Sequence, residues 1–184
     1  MSGKKEQQAP TLERVTDFGN LIHAAKKAIK SRWRYRMEAA VFRADMGKEL
    51  LQLQSELQTL TYNPLPYRTF LVHDPKERII SAAPIRDRVV HHALMNVVGP
   101  WLERSFIHHS YACQEDKGTH KAILQVQKLI RSYEYYIHLD VVKFFDSIVH
   151  EILKKMLCKK IGDSGIISLD RKSTRLNSSH ESPS

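Results

Sequence analysis

Residues 135–150 read YYIHLDVVKFFDSIVH, and this stretch decides how the chain can be interpreted. It opens with an apolar, aromatic-rich run of strand character, Tyr135–Leu139, which leads directly into the carboxylate of Asp140. Phe145 follows five residues later, and the Asp-Ser pair after it is typical of a helix start. The order predicts a strand over 135–142, then a turn and a helix. Because Mg²⁺ prefers carboxylate oxygens held on rigid elements, Asp140 is a candidate metal ligand.

The composition of the chain favours a polyanionic partner. Its 184 residues carry 29 Lys and Arg against 20 Asp and Glu, a formal net charge of +9. Such an excess promotes fast, salt-sensitive association with nucleic acid. No stretch approaches the roughly 20 apolar residues of a membrane-spanning helix. Cys113 and Cys158 have no CxxC spacing, so a reduced, cytoplasmic protein without a membrane partner is expected.

The N-terminal third has the periodicity of helices. Residues 1–10 are polar and are predicted to be disordered, and one helix is predicted over Thr11–Lys30 with Thr11 as its N-cap. A second helix is predicted over about 35–60. Its expected buried positions are Met37, Val41, Ala44, Leu51 and Leu57. Between the helices, SRWRYR (31–36) could contact phosphates and stack on bases, or could simply be a solvated helix start.

A β-hairpin is predicted in the middle of the chain. The two prolines of YNPLPY, residues 62–67, hold the backbone extended and end the preceding helix. Alternating side chains then predict strands over 68–73 and 78–82, with the turn signal DPKE between them. Helices and a hairpin in one chain indicate an α+β fold.

Further helices are predicted on the C-terminal side of the hairpin. Pro84 is expected to open one helix and Pro100 to end or kink it. A loop at 110–118 precedes a helix capped by Thr119, and a last helix is expected over about 147–159. The apolar stripe of the first helix is Val89, Val90, Ala93, Leu94, Val97 and Val98, and that of the second is Ala122, Ile123, Val126, Leu129 and Ile130.

The last residues, 170–184, have a different origin in our interpretation. Asp170–His180 reads DRKSTRLNSSH, which is the in-frame translation of a widely used sequencing-library adapter. We therefore expect the native coding sequence to stop near Leu169 and exclude the tail from the fold. A native Ser-rich tail is the alternative, and sequencing the locus from source DNA would distinguish the two.

Three segments resemble, in this order, the fingers and early palm of bacterial reverse transcriptases. They are YRTFLVHDPKERIISAAPIRDRVVHHAL, SFIHHSYACQEDKGTHKA and HLDVVKFFDSIVHEIL, and together they cover about residues 60–160. The resemblance is greatest to enzymes of diversity-generating retroelements, with group II intron enzymes next. It implies an N-terminal helical region (11–60), fingers (61–134) and the opening strand and helix of a right-hand polymerase palm (135–169).

This resemblance implies an RNA-directed DNA polymerase that adds deoxynucleotides to a primer by two-metal phosphoryl transfer. Its partners would be an RNA template, a DNA or RNA primer, deoxynucleoside triphosphates and, as often in retroelements, a small basic accessory protein. Two Mg²⁺ ions would be the cofactors. Asp140 matches the first catalytic metal ligand of the family, and Val141 matches the residue that lends a backbone carbonyl.

Other positions match residues that the family uses for nucleotide and template. Lys76 and Arg78 match the cations of the fingers hairpin that contact the triphosphate, and Phe145 matches the aromatic gate that excludes a 2′-hydroxyl. The positions that match template- or primer-binding residues are Arg88, Ser110, Tyr111, Lys117 and His120.

Two departures from the family pattern limit what this chain can do alone. Gln114 stands where the family usually has an arginine, and no Tyr/Met-x-Asp-Asp motif follows Gly162. The chain is thus expected to be an inactive N-terminal fragment of an active parent enzyme. The alternative is a non-catalytic, basic RNA-binding module on the same scaffold, in which Asp140 would have no catalytic role.

Overall fold

The computed structural model describes residues 8–30, 36–73, 77–114, 116–144 and 147–169. Within these ranges the elements, in chain order, are α1 (Leu12–Thr16), α2 (Phe18–Ile29), α3 (Met37–Ala44), α4 (Met46–Gln58), β1 (Arg68–His73), β2 (Glu77–Ala82), α5 (Ile85–Glu103), α6 (Thr119–Ile130) and α7 (His150–Ile161). Residues 164–169 are also helical. No described helix has both the length and the apolar composition needed to cross a bilayer.

The predicted first helix is two helices, α1 and α2. Thr11 caps α1 as expected, because its hydroxyl accepts from the Arg14 N–H at 3.4 Å. The helix breaks at Asp17, whose backbone is extended (ψ 131°) and whose carboxylate accepts from the Asn20 N–H at 2.9 Å. Aspartate is more favourable as the N-cap of a new helix than inside a helix. The periodicity of apolar residues does not predict such a break, because it is the same for one helix and for two.

The second predicted helix is likewise divided, by Asp45, and the predicted buried face is mostly wrong. Met37, Val41 and Leu51 are 79%, 63% and 58% exposed, and Ala44 is exposed as well. The residues that α3 and α4 bury are Ala39, Phe42, Leu50, Leu53 and Leu57, of which Leu57 alone was predicted. These residues, with the partly buried Met46 between Phe42 and Leu50, follow helical spacing across the break, so the sequence offered this face as well as the predicted one.

The hydrophobic core lies between the N-terminal helices and α5, with α2 and α5 in the most extensive contact. The predicted stripe of α5 is confirmed, since its members are buried except Leu94, which packs against the core while partly exposed. Pro84 is the N-cap of this helix. Pro100 does not end the helix, which continues to Glu103. Ile166 and Leu169 from the C-terminal side complete the core.

The predicted hairpin is confirmed. β1 and β2 pair in antiparallel register, with Arg68 opposite Ala82 and His73 opposite Glu77. They form the one sheet found among the described residues.

The predicted strand over 135–142 is wrong. Residues 135–141 have no regular secondary structure, and Tyr135, Tyr136 and Ile137 are 88%, 86% and 84% exposed. A strand is stabilised by hydrogen bonds to a neighbouring strand, and no segment of the described chain pairs with this one. The apolar composition of the stretch is therefore not enough to make it a strand.

α6 lies outside the core, and α7 contacts the core through Ile161, which is partly buried. Neither α6 nor α7, both described throughout, contains a buried residue, so the apolar face predicted for α6 has formed but is not covered. The N-cap of α6 is Gly118, with φ 93°, rather than Thr119. Gly118 can adopt this conformation because it has no side chain. The side chain of Trp101 in α5 donates to the Lys160 carbonyl at 2.8 Å, which ties the end of α7 to the body.

Candidate nucleic-acid and metal site

The loop between α5 and α6 brings three predicted template- or primer-binding residues together. The Lys117 ammonium donates to the carbonyls of His108 (2.7 Å) and Ser110 (2.9 Å). The same ammonium lies 5.6 Å from the centre of the Tyr111 ring, within the range of a cation–π contact. Lys117 thus closes the loop from inside. Its two carbonyl bonds leave one of its three N–H donors for a phosphate.

Gln114 takes part in the same loop. Its side-chain amide donates to the Ser110 hydroxyl at 2.8 Å, so it holds a residue that the family resemblance assigns to nucleic-acid binding. The loop needs left-handed backbone at Cys113 (φ 55°) and Asp116 (φ 58°). The hydrogen bonds of Lys117 and Gln114 therefore stabilise the loop and offset the conformational free energy that the left-handed residues cost.

Two further lysines belong to this site, although no prediction named them. Lys121 and Lys128 of α6 line a cleft of about 450 Å³ together with Tyr111 and Lys117. Their positions follow from helical spacing, because residues four and seven apart share a face of a helix. The cleft combines three ammonium groups and the carboxylate of Asp116 with an aromatic ring, and this net positive charge beside a ring suits a phosphate backbone and a stacked base. His120, in the first turn of α6, is exposed.

Arg88 lies apart from this loop, in the first turn of α5. Burial lowers the pKa of its guanidinium, the nearby Glu38 carboxylate raises it and Arg36 lowers it. The structure therefore groups Arg88 with the start of α3 and not with the predicted template-binding loop.

A buried carboxylate next to Arg88 organises this region. Asp87 is fully buried and accepts from the Tyr62 hydroxyl at 2.6 Å and from the Leu65 N–H at 2.9 Å. It thereby fixes the proline-containing hinge, 62–67, to the start of α5. Its partners in the hinge, Tyr62 and Leu65, could not be identified from the spacing of residues in the sequence.

The candidate metal ligand Asp140 is exposed in the irregular segment. One oxygen of its carboxylate accepts from the N–H of the next residue, Val141, at 2.9 Å. No group of three or more His, Cys, Asp or Glu side chains in the described ranges is arranged to hold a metal ion. One carboxylate and one carbonyl do not meet the six-oxygen requirement of Mg²⁺, so these residues do not form a metal site by themselves.

The predicted nucleotide-binding residues are described only in part. Lys76 and Phe145 lie outside the described residues. Arg78 lies on β2, opposite Val72 of β1. The hairpin that would carry these cations is formed, but their contact with a nucleotide stays a prediction.

Comparison with known proteins gives two distant relatives. The chain is 27% identical over 136 residues to the Protein YkfC of Escherichia coli, a match that covers 70% of this chain and 36% of that protein. It is also 27% identical over 122 residues to a Putative COX1/OXI3 intron 1 protein of Saccharomyces cerevisiae, which covers 65% of this chain and 15% of the relative. No family model matches the chain. The chain thus spans about a third or less of each relative's length, and it is distantly similar to a protein named for an intron.

Proposed function

We propose that this chain is the N-terminal part of an RNA-directed DNA polymerase of a retroelement. The observation that carries the proposal is the ordered run of three reverse-transcriptase-like segments over about residues 60–160. The distant similarity to an intron protein supports it, since that match extends over 65% of the chain.

Two features of the fold support the same assignment. The hairpin of β1 and β2 has the position in the chain that the fingers hairpin requires, and Arg78 belongs to β2. The loop from Ser110 to Gly118 is closed by Lys117 and presents a basic, aromatic cleft. Cationic and aromatic groups of this kind are suited to a nucleic-acid strand.

Asp140 and Val141 would supply part of the metal-binding site in the complete enzyme. Bound Mg²⁺ would stabilise the charge that develops on the transferred phosphoryl group. Two ions need more oxygen ligands than these residues offer, and the 184-residue sequence contains no adjacent pair of aspartates. We therefore propose that this polypeptide alone is inactive.

The substrate preference follows from Phe145. In the proposed enzyme its ring lies against the sugar of the incoming nucleotide and leaves no room for a 2′-hydroxyl. The enzyme would then use deoxynucleoside triphosphates, with an RNA template and a DNA or RNA primer.

A non-catalytic RNA-binding module is the second candidate. The net charge of +9 and the basic cleft at α6 support it equally well. Both candidates predict RNA binding, so RNA binding cannot distinguish them. Only the polymerase predicts DNA synthesis by the completed protein.

The test is primer extension by this chain joined to the downstream coding sequence of its parent gene. We expect incorporation of deoxynucleotides on an RNA template, with ribonucleotides used far less, and no incorporation by the 184-residue chain. RNA binding without any incorporation by the completed protein would reject the polymerase and leave the binding module.

A further inference from the structure

The hairpin of β1 and β2 meets the helical core at its base. Of the strand residues whose burial the structure describes, Val72 and Ala82 are half-buried and the others are exposed. A two-stranded hairpin with so little buried surface is only marginally stable by itself. The direction in which it leaves the core therefore depends on the contacts that hold its two ends.

Both ends of the hairpin are held by side-chain carboxylates of helices. Leu65 lies three residues before β1, and its N–H donates to the Asp87 carboxylate of α5 at 2.9 Å. Ile85 lies three residues after β2, and its N–H donates to the Glu38 carboxylate of α3 at 2.9 Å. A different carboxylate therefore fixes the chain on each side of the hairpin.

Asp87 is the more firmly held of these two carboxylates. It is fully buried, whereas Glu38 is half-buried, and its second oxygen accepts from the Tyr62 hydroxyl at 2.6 Å. The guanidinium of Arg86 lies 5.6 Å from the centre of the Tyr62 ring and pairs with Glu56 of α4. Because a buried polar group that leaves its partners is left unsatisfied, this network holds the hinge in one position.

A small rotation at the base of the hairpin has a large effect at Arg78. Arg78 lies opposite Val72, four residues along the strands from the pair of Arg68 and Ala82. At about 3.3 Å per residue this length is about 13 Å, so a rotation of about 15° at the base displaces the Arg78 backbone by about 3 Å. Such a displacement is much larger than the range of about 0.5 Å over which hydrogen-bond distances vary.

We propose that Asp87 is a positioning residue, which holds Tyr62 and Leu65 and thereby orients the hairpin for the triphosphate of the incoming nucleotide. This role rests on the proposed polymerase function, which assigns a nucleotide contact to Arg78. Asp87 itself touches neither nucleotide nor template and acts through the hinge. Its loss therefore raises KM for the nucleotide and leaves the chemical step at Asp140 nearly unchanged.

The first experiment measures primer extension on RNA by the completed parent protein over a range of deoxynucleotide concentrations. Asp87→Ala removes both acceptors, and we expect it to raise KM for the nucleotide about tenfold and to change kcat less than about threefold. Asp87→Asn is the conservative variant, because its oxygen can still accept from Leu65 and its amide can donate to the Tyr62 hydroxyl. We expect its KM to lie within about threefold of the wild-type value.

The matched control for lost stability is Leu53→Ala. Leu53 is fully buried in α4, so its truncation leaves a cavity and destabilises the core while the Asp87 contacts remain. A merely structural role of Asp87 predicts the same KM for Asp87→Ala and Leu53→Ala. The same KM in these two variants, an unchanged KM in Asp87→Ala, or an equal rise in Asp87→Asn would overturn the proposal.

The second experiment measures the orientation of the hairpin without any synthesis. Spin labels at Ile79→Cys of β2 and Lys48→Cys of α4, both at exposed positions, report the distance between hairpin and core by pulsed electron paramagnetic resonance. The 184-residue chain is used with its two exposed cysteines replaced, Cys113→Ser and Cys158→Ser. It is diluted in unlabelled protein so that only distances within one molecule are measured.

We expect Asp87→Ala to broaden or shift the distance distribution by about 3 Å, and Asp87→Asn and Leu53→Ala to leave it as in the wild-type chain. An unchanged distribution in Asp87→Ala would overturn the role of Asp87. A changed distribution in a protein whose completed form makes no DNA would confirm that Asp87 orients the hairpin and reject the polymerase. Failure of the proposed function is therefore distinguishable from failure of the positioning role.

Discussion

At the scale of single residues, the best-defined polar contact is the buried pair of Asp87 and Tyr62. The carboxylate receives the tyrosine hydroxyl and a hinge N–H, so its hydrogen-bonding needs are met inside the protein. Removing either partner leaves a polar group in an apolar environment, which costs more than the bond itself contributes.

We expect Asp87→Ala to lower the free energy of unfolding by about 3 kcal/mol and Tyr62→Phe by about 1 kcal/mol. Chemical denaturation followed by circular dichroism measures both. Glu134→Gln, at an exposed position, is the control and should be neutral. A neutral Asp87→Ala would show that the hinge is not held by this contact.

The contact of Asp87 with Tyr62 also makes the free energy of unfolding depend on pH. Burial, and then the hydrogen bond to Asp87, raise the pKa of Tyr62 above its ordinary value of 10.0. The unfolded tyrosine therefore loses its proton at lower pH than the folded one. The contribution of Tyr62 to the free energy of unfolding is fully present below about pH 10 and is lost as the pH rises further. We expect the wild-type chain to lose more stability than Tyr62→Phe between pH 9 and 11, and parallel losses would contradict this origin.

At the scale of elements, the sequence predicted the helices and the hairpin better than it predicted their boundaries and partners. The stripe of α5 and the pairing of β1 with β2 follow from local periodicity, and both are confirmed. The breaks at Asp17 and Asp45 do not follow from local periodicity. The Asp17 carboxylate caps α2, whereas Asp45 makes no side-chain cap bond. The strand at 135–142 needed a pairing partner, which periodicity cannot supply.

In the candidate site as well, the sequence predicted contacts between residues close in the chain and missed those between distant residues. Ser110, Tyr111 and Lys117 are close in sequence and also meet in the structure. Lys121 was not predicted to join them, although helical spacing contained the signal. The contact of Asp87 with Tyr62 joins residues 25 positions apart, and nothing local in the sequence encodes such a pair.

The corrected face of α4 can be tested directly. Leu53→Ala should cost about 3 kcal/mol, because Leu53 is fully buried and its truncation leaves a cavity. Leu51→Ala removes the same atoms from a side chain that is 58% exposed, and it should change stability by less than about 0.5 kcal/mol. Thermal or denaturant melts compare the two. Equal losses, or a larger loss for Leu51→Ala, would contradict the observed buried face of α4.

At the scale of the whole molecule, a helical core is joined to a C-terminal region, residues 119–161, in which little surface is buried. α6, α7 and the segment between them expose many apolar side chains, among them Ile130 (62%), Ile137 (84%) and Leu139 (84%). Contiguous apolar surface of this kind favours association.

We therefore expect the chain expressed by itself to self-associate at micromolar concentration. Size-exclusion chromatography with light scattering should show a mass that rises with concentration. Ile137→Ser with Leu139→Ser should reduce the self-association, because it removes two apolar side chains that are each 84% exposed. A monomer at every concentration, with one cooperative melt, would refute this expectation.

The proposed polymerase depends above all on the carboxylate of Asp140, whose role in catalysis can be measured in the completed parent protein. Primer extension on RNA and RNA affinity are measured in parallel for Asp140→Asn and for the neighbouring control Glu134→Gln. Loss of a metal ligand removes several kcal/mol of transition-state stabilisation, so we predict that Asp140→Asn lowers incorporation about a thousandfold or more with RNA affinity unchanged. Incorporation by Asp140→Asn at the rate of the control would contradict a catalytic role for this carboxylate and, with it, the proposed polymerase.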